Sequence, residues 1–548
     1  MTQPNSWRAE RNFGANCVFQ VEPDHGTILD PACGSAGMFV QTGYFLEKQG
    51  KSLGGVTFYG QEKADLNTKL ARMNLAVHGL EGRILQGNTF YEDQHEKLSQ
   101  CDFVMANPPF NVDGVLVSKI KSDPRLPFGI PSLAGKTKAK GSNDVAKQAD
   151  TISNANYLWI QYFYAYLNKV GRCGFVMAAS ASDAGGKEEK RIRQELLNSG
   201  HVDVMVSIGT NFFYTRTLPC SIWFFDKGKP KVRQDQVLML DARNIYRLVN
   251  RRVRDFSDEH LANLAAIVRL YRGETQKYLN LIASYLSRTA DGMTAFADPL
   301  AGFAKQATNV GATLTAFLDG CSPNEELGIT EAQIAALRDQ SENLNVGLST
   351  WASDRKAVLA KVKTEREWYV KNEDKLSTNA TQIAARERWD DLTHDVRALG
   401  KDADRLQRQA TKIEGQCRKE LRNTDGWDGP AAKRLVTELE EARDAVSDAC
   451  RAVTYPHHQA HWLQTRFPNA VITAVPGLCK VVSRANIEAA ADISFSPGRY
   501  VGVGQVETES EEGFEERISD IASELGILEG ESNRLFTEVM SRLGAIHK

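Results

Sequence analysis

The sequence predicts an α/β fold with a doubly wound, mostly parallel, Rossmann-like sheet, joined to a long helical region. Between about residues 25 and 230, short apolar runs alternate with amphipathic stretches. Near-continuous apolar strands of this kind are typical of parallel sheets that are buried on both faces. From about Asp255 the strands largely disappear and helical periodicity takes over. The 548 residues exceed one ordinary core, so two to three domains are expected.

Seven apolar runs are predicted to form the strands of this sheet. In chain order they are residues 27–30, 56–60, 83–86, 102–106, 173–177, 202–208 and 221–226. Helical patterns such as LNTKLARMNLAVHG and YLWIQYFYAYLNKV lie between them. The stretch 112–154, rich in Gly, Lys, Ser and Pro, is predicted to be a long loop, and such loops are usually functional or disordered.

In the second half of the chain, heptad spacing predicts two helices that fold back as an antiparallel coiled-coil hairpin. The first seam comprises Leu392, Val396, Leu399, Ala403, Leu406, Ala410, Ile413 and Cys417. After the breaker DGWDGP at 425–430, the second seam comprises Leu435, Leu439, Ala442, Val446, Ala449 and Val453. Ordinary bundle helices are the alternative interpretation of the same spacing.

The C-terminal stretch carries another apolar helical face. Its members are Phe514, Ile518, Ile521, Leu525, Leu528, Leu535, Val539 and Ile546. Such a helix either docks on its own domain or offers its face to a partner helix. The predicted organisation is a short N-terminal segment 1–26, an α/β domain 27–280, a helical insert 281–464 and a C-terminal helical region 465–548.

Composition limits the classes of function that fit. The formal net charge of −2 argues against a chain that binds nucleic acid tightly by itself, because neutralisation of phosphates by basic residues supplies most of the affinity for nucleic acid. No apolar run approaches the roughly 20 residues of a membrane span, and the N-terminus lacks the apolar core of a signal peptide. Nine cysteines without CxxC pairs suit reduced thiols, so a cytoplasmic protein is expected.

Polar corners follow four of the predicted strands, at the sheet edge where open α/β proteins bind ligands. In the first corner, DPACGSAGMF, Asp30 precedes a turn that contains Gly34 and Gly37. Small residues let the backbone approach a ligand closely and point its amides at it. The turn lacks GxGxxG, so a dinucleotide is not the first expectation. A tight structural turn is the alternative interpretation.

The second and third corners are weaker signals when taken alone. Glu62, after the second strand, is placed to accept hydrogen bonds from ribose hydroxyls, although it could equally interact with a helix N-terminus. GNTF at 87–90 could hold an adenine edge, or it could be a plain turn.

The fourth corner is NPPF, in the stretch CDFVMANPPFN at 101–111. The Asn107 side-chain carbonyl and the Pro108 backbone carbonyl can both accept hydrogen bonds from one exocyclic amine. Double acceptance draws the nitrogen lone pair out of conjugation and makes the amine more nucleophilic. Phe110 can stack on the base, which is worth roughly 1–3 kcal/mol, while Pro108 and Pro109 hold the geometry. A base within a duplex would have to be flipped out to reach this corner.

DPACGSAGMF, YGQE, GNTF and NPPF, in this order, resemble gamma-class N6-adenine DNA methyltransferases, which use S-adenosylmethionine. The chain more closely resembles the modification (M) subunit of type I restriction–modification systems, over about 27–280 and again from about 465 to the end. The resemblance implies that Asn107, Pro108, Pro109 and Phe110 hold the target adenine. It also implies a set of cofactor-binding residues: Asp30, Ala32, Gly34, Ser35, Gly37, Glu62, Asn88 and Asn107.

The resemblance further implies partners. Two M subunits would sit on one specificity (S) subunit bound to double-stranded DNA, and a restriction (R) subunit would cleave unmodified DNA. Family members usually carry a helical N-terminal domain before the glycine turn, whereas only about 26 residues precede the first strand here. Ala36 stands where glycine is commoner, and Asn88 stands where aspartate is often found.

Two alternatives remain beside the leading hypothesis of an adenine methyltransferase subunit. One is a catalytically silent or N-terminally truncated assembly subunit, and the other is a stand-alone adenine methyltransferase that reads DNA itself. An N4-cytosine enzyme is disfavoured because the first residue of NPPF is Asn107 rather than Ser or Asp. This point rests on the resemblance.

Two weaker signals lead to no further site. His457, His458 and His461 have helical metal-ligand spacing, but no carboxylate completes a site, so no metal is predicted. Cys33, within the glycine turn, is interpreted as a small packing residue rather than a nucleophile.

Overall fold

The computed structural model describes residues 17–504, except 19, 135–149, 213–217, 251–252, 327, 422–423, 425–426 and 491. The predicted apolar face from Phe514 to Ile546 therefore lies outside the described residues. Within the described ranges, every helix is too short or too polar to cross a membrane.

The α/β part of the chain alternates strands and helices as the sequence predicts. Its elements are β1 (Gly26–Asp30), α1 (Gly37–Lys48), β2 (Val56–Glu62), α2 (Asp65–Val77), β3 (Gly82–Gln86), β4 (Cys101–Ala106), α3 (Val117–Ile120), α4 (Asn156–Tyr166), β5 (Leu167–Ala178), α5 (Lys187–Asn198), β6 (Val202–Ile208), β7 (Cys220–Asp226), β8 (Gln236–Asp241), β9 (Arg247–Asn250) and β10 (Val253–Asp255). Helices then follow almost without interruption.

The helical part contains seven helices among the described residues, followed by one strand and a short helix. They are α6 (Asp258–Arg272), α7 (Thr275–Ala295), α8 (Ala297–Gly320), α9 (Glu331–Asn372), α10 (Asn379–Arg388), α11 (Asp390–Glu420), α12 (Gly429–Arg466), β11 (Cys479–Ser483) and α13 (Arg484–Glu488).

The central sheet has nine strands in the order β11-β8-β6-β7-β5-β4-β1-β2-β3. Strand β7 runs antiparallel to β5 and β6, and β11 runs antiparallel to β8, whereas the other pairings are parallel. The predicted fold class is therefore confirmed. In the parallel centre, β1 pairs with β4 on one side (Ile28 opposite Phe103) and with β2 on the other (Asp30 opposite Gly60). The polar corners after β1, β2 and β4 thus lie next to one another.

Several predicted boundaries were wrong. The predicted helix after residue 157 ends at Tyr166, and its last residues begin β5, because Leu167 pairs with Cys101 of β4. Strand β2 continues through Glu62, which was expected to follow the strand. Strands β8 to β11 were not predicted. β11 is short and lies far along the chain, and its pairing with β8 makes it an edge strand.

The two predicted heptad helices correspond to α11 and α12, which run antiparallel. Gly400 lies beside Cys450, and the Asp404 carboxylate accepts a hydrogen bond from Arg443 at 2.8 Å. All eight seam residues of α11 are buried. However, α12 also packs against α7 and α8, and α11 also packs against α9. The two helices are therefore part of a helical bundle rather than an isolated hairpin. Ordinary packing in the core of that bundle accounts for their apolar seams.

A buried charge cluster connects the sheet to the helical part. Asp203 at the start of β6 pairs with Arg272 of α6 at 2.9 Å and lies 3.8 Å from Lys229. Burial alone would raise the pKa of Asp203, but the charges of Arg272 and Lys229 outweigh it and hold the pKa below its usual value. Arg272 also donates to the carbonyl of Gln20 at 2.7 Å, so the segment before β1 is held by the same residue.

We expect Asp203→Ala to lower the free energy of unfolding by about 3–5 kcal/mol, because it leaves Lys229 and Arg272 as buried charges without their nearest carboxylate. Asp65→Ala is the control, since the pair of Asp65 with Lys69 is exposed and such pairs contribute about 0–1 kcal/mol. Urea unfolding of both variants measures the difference. Similar losses in the two variants would contradict the prediction.

Candidate functional site

The glycine turn follows directly from the end of β1. Asp30 is 1 % exposed, and its Oδ1 accepts a hydrogen bond from the Ala32 N–H at 2.9 Å, which closes the turn. Gly34 has φ +53°, and a Cβ built there would have no neighbour within 4 Å. Ala36 has φ +69°, a left-handed conformation that costs an alanine roughly 1–2 kcal/mol. This backbone geometry explains why glycine suits the position of Ala36 better.

Glu62, the last residue of β2, bridges the glycine turn and the start of α2. Its Oε2 accepts a hydrogen bond from the Gly34 N–H at 3.0 Å, and its Oε1 accepts one from the Ala64 N–H at 2.8 Å. A carboxylate offers about four acceptor positions, so these two bonds leave capacity for hydroxyl donors. Glu62 is half-buried and faces the turn that carries Ala32, Gly34 and Ser35.

Two side chains to which the sequence analysis assigned no role support the glycine turn and the loop after β3. Asn74 of α2 donates to the Ser35 carbonyl at 2.7 Å. Gln61 is 2 % exposed, and it holds the loop after β3 by accepting from the Gln94 N–H and donating to the Glu92 carbonyl. The position of Gln61 in YGQE was visible, but its partners lie more than 30 residues away in the chain, and no local pattern indicates them.

The corner after β3 is held by a hydrogen bond of its own and by contacts with the glycine turn and α4. The Asn88 side-chain oxygen accepts a hydrogen bond from the Phe90 N–H at 3.2 Å, so that oxygen already has a partner within the protein. The Thr89 hydroxyl donates to the Pro31 carbonyl, which ties this corner to the glycine turn. Phe90 packs on Trp159 of α4 with ring centroids 4.6 Å apart. The third corner therefore lies against the first.

The NPPF corner leaves β4 immediately after Ala106. Asn107 is half-buried, and its side-chain amide forms no hydrogen bond with the described part of the chain. Pro108 is buried, Pro109 is exposed, and the half-buried Phe110 packs against both apolar cores. Because β1 and β4 are parallel neighbours, this corner lies beside the glycine turn. It presents an amide and an aromatic ring there.

The next residue, Asn111, is held by the start of α4. Asn111 has φ +55°, its N–H donates to Asn156 Oδ1 at 2.9 Å, and its Oδ1 accepts from Asn156 Nδ2 at 2.9 Å. Asn154 Nδ2 donates to the same oxygen of Asn111 at 2.9 Å. The sequence analysis assigned no role to these asparagines.

Of the two weaker signals, Cys33 and His457 are packing residues, whereas His458 and His461 are exposed. Cys33 is buried, and its N–H donates to the Gln61 carbonyl at 3.1 Å. His457 is buried in the bundle 3.1 Å from the Asp390 carboxylate, and burial lowers its pKa to about 4. A carboxylate does therefore lie beside this histidine, contrary to expectation, but the described residues contain no metal-ligating cluster of three.

Residues 15–285, just under half of the chain, match the family model for N-6 DNA Methylase. The MjaIX methylase subunit of a type I restriction enzyme from Methanocaldococcus jannaschii is 33 % identical over 257 residues, which are 46 % of this chain and 43 % of the relative. The HindI methylase subunit from Haemophilus influenzae is 32 % identical over 250 residues, which are 45 % of this chain and 52 % of the relative.

The chain spans about half the length of the curated relatives it matches. A solved type I restriction–modification methyltransferase subunit from Streptococcus thermophilus aligns with a TM-score of 0.40 at 21 % identity, covering 49 % of this chain and 53 % of that one. The family resemblance inferred from the motifs is thus confirmed by the sequence relatives.

Gly60→Ala tests the packing beneath the glycine turn. A Cβ on Gly60 would lie 2.6 Å from the end of Ile84 and 2.8 Å from Cys33 Sγ. We expect overpacking to lower the free energy of unfolding by about 1–3 kcal/mol. Gly54→Ala is the control, because its nearest neighbour would be 3.6 Å away. Chemical denaturation would refute the prediction if the two variants were equally stable.

Proposed function

We propose that this chain is the methyltransferase subunit of a type I restriction–modification system and that it transfers a methyl group from S-adenosylmethionine to N6 of a flipped adenine in DNA. One observation carries the proposal. Strand β1, which ends in the glycine turn, pairs directly and in parallel with β4, which ends in NPPF. A cofactor held at the first corner would therefore lie beside a base held at the second, as direct group transfer between two bound molecules requires.

The first corner has the donors and acceptors that S-adenosylmethionine needs. Gly34 borders open space, and Glu62 keeps acceptor capacity that suits the ribose hydroxyls. Ala32 and Ser35 are partly exposed on the same turn, whereas Asp30 and Gly37 are buried and shape it from below. When bound, the cofactor supplies the electrophilic methyl group. Asn88, whose oxygen accepts from Phe90, would contribute its amide N–H groups as donors to the adenine ring.

The second corner would activate the target amine. The Asn107 side-chain carbonyl and the Pro108 carbonyl accept hydrogen bonds from the N6 amino group, which localises its lone pair for attack. Phe110 stacks against the base, and the two prolines limit the freedom of the backbone between these groups. The amine nitrogen would bond to the methyl carbon as the carbon–sulfur bond breaks, which leaves S-adenosylhomocysteine, and the methylated nitrogen would release one proton to solvent. This transfer needs no covalent intermediate on the protein, so the role of this corner is to orient the amine and to polarise it.

The proposed partners are double-stranded DNA, an S subunit that carries a second M subunit, and an R subunit. The formal net charge of −2 supports this assignment, because a chain without an excess of basic residues depends on a partner for much of its affinity for DNA. The type I methylase subunits that it resembles support the same class of assembly. Methylation by the isolated chain would instead favour a stand-alone enzyme.

Asn107→Ala tests the proposed activity. We expect single-turnover methylation by the complex with its specificity subunit to fall by about 10²–10³-fold, the range found when one preorganised hydrogen-bonding group is removed from an active site. Calorimetric binding of S-adenosylmethionine should remain close to that of the wild type, because the other residues proposed to bind the cofactor are unchanged. Asn280→Ala, at an exposed position of α7, is the control and should keep full activity. Retained turnover in Asn107→Ala would show that the assignment of Asn107 to the site is wrong.

Glu62→Ala tests the cofactor corner. Loss of charge-assisted hydrogen bonds worth about 1.5–3 kcal/mol should weaken S-adenosylmethionine binding about 10- to 100-fold. Glu47→Ala on the exposed side of α1 is the control and should bind normally. Calorimetric titration of the two variants distinguishes them. Wild-type affinity in Glu62→Ala would mean that the cofactor lies elsewhere, and a wild-type chain that does not bind at all would support the silent assembly subunit.

A further inference from the structure

We infer that Asn156, the first residue of α4, is a positioning residue of the target-base corner. It acts through Asn111, holding the end of NPPF in the conformation that brings Asn107 and Phe110 to the base. The inference rests on the proposed function, whose site it extends to a residue outside the four motifs.

The backbone of the corner has few hydrogen-bond donors of its own. Pro108 and Pro109 carry no N–H, so the chain between the end of β4 and Asn111 cannot be fixed by an ordinary ladder of hydrogen bonds. Upstream, the corner is anchored because Ala106 pairs with Phe175 of β5. Downstream, the anchor is the reciprocal pair of bonds between Asn111 and Asn156.

This pair is well suited to fix a backbone conformation. Asn156 is 3 % exposed, and both ends of its amide are engaged, since Oδ1 accepts from the Asn111 N–H while Nδ2 donates to Asn111 Oδ1. Asn111 lies in the left-handed region, where asparagine is tolerated better than most residues. Asn154 closes the group by accepting from the Asn156 N–H and donating to Asn111.

Helix α4 provides a firm platform for this anchor, because all but one of its residues are buried. The same helix holds the loop that follows the corner. Gln161 accepts from the Phe128 N–H at 2.9 Å, and Arg125 lies over the Tyr162 ring at 4.3 Å from its centroid. Arg125 also donates to the Tyr166 hydroxyl at 3.0 Å. The described residues after NPPF are thus attached to α4 at several successive points, of which Asn156 is nearest to the proposed chemistry.

A buried asparagine can also be purely a stabilising residue, so the test needs a matched control. Asn263 in α6 is 4 % exposed, and its amide likewise makes two side-chain bonds, donating to Gln459 and accepting from Tyr285, both at 2.8 Å. It belongs to the helical part of the chain. Asn156→Ala and Asn263→Ala therefore remove similar bonds from similarly buried places.

The experiment measures three quantities for the wild type and both variants in complex with the specificity subunit. These are the melting temperature, the calorimetric affinity for S-adenosylmethionine, and the single-turnover methylation rate at saturating DNA and cofactor. We expect Asn156→Ala to lower the methylation rate by about 10²-fold, as a misplaced reacting group does, with cofactor affinity unchanged. Asn263→Ala should lower the melting temperature comparably but leave the rate at the wild-type value.

A second variant keeps the test independent of folding. Because Asn111 and Asn156 form one anchor, Asn111→Ala should lower the rate about as much as Asn156→Ala, and the double variant Asn111→Ala/Asn156→Ala should lose little more rate than either single variant. Additive losses, or a rate in Asn156→Ala equal to that in Asn263→Ala, would overturn the inference while the proposed function stood. A wild-type complex that transfers no methyl group would contradict the proposed function, and the inference with it.

Discussion

The parallel pairing of β1 with β4 and with β2 is the constraint on which the candidate site depends. Parallel strands end at the same sheet edge, so the glycine turn, Glu62 and the NPPF corner meet although 77 residues separate Asp30 from Asn107. Each corner is short and carries little structure of its own. Their mutual geometry is therefore set by the sheet register, and the apolar strands that stabilise the register determine the site as well.

Buried or half-buried amide side chains then fix the backbone of the corners that the sheet register brings together. Gln61 holds the loop after β3, Asn74 supports Ser35, and Asn156 holds Asn111. The Gln61 and Asn156 amides each donate and accept at once, so they hold their partners without bringing a charge into the core. A buried charge would require a counter-charge, as Asp203 does with Arg272 and Lys229 at the start of β6. Among the described residues, the proposed target corner is thus oriented mainly by neutral groups, which suits a site that polarises an amine.

The helical part is connected to the sheet through α6, whose Arg272 pairs with Asp203 and also reaches Gln20. The heptad spacing of α11 and α12 is satisfied by several neighbouring helices at once, because α12 packs against α7 and α8 as well as α11. A periodic apolar seam specifies that a helix face is buried, but not how many partners bury it.

The sequence by itself determined seven of the strands, the α/β class, and the places of the four corners, because strand burial and proline or glycine turns are local properties. Only the tertiary structure decided which distant groups meet. In the folded chain β11 pairs with β8, and β2 extends to Glu62, which accepts a hydrogen bond from the Gly34 N–H. Asn156 contacts Asn111, although the two residues are 45 positions apart in the sequence. These contacts depend on strand register and helix placement, which arise from packing over the whole sheet. No window of neighbouring residues contains that information.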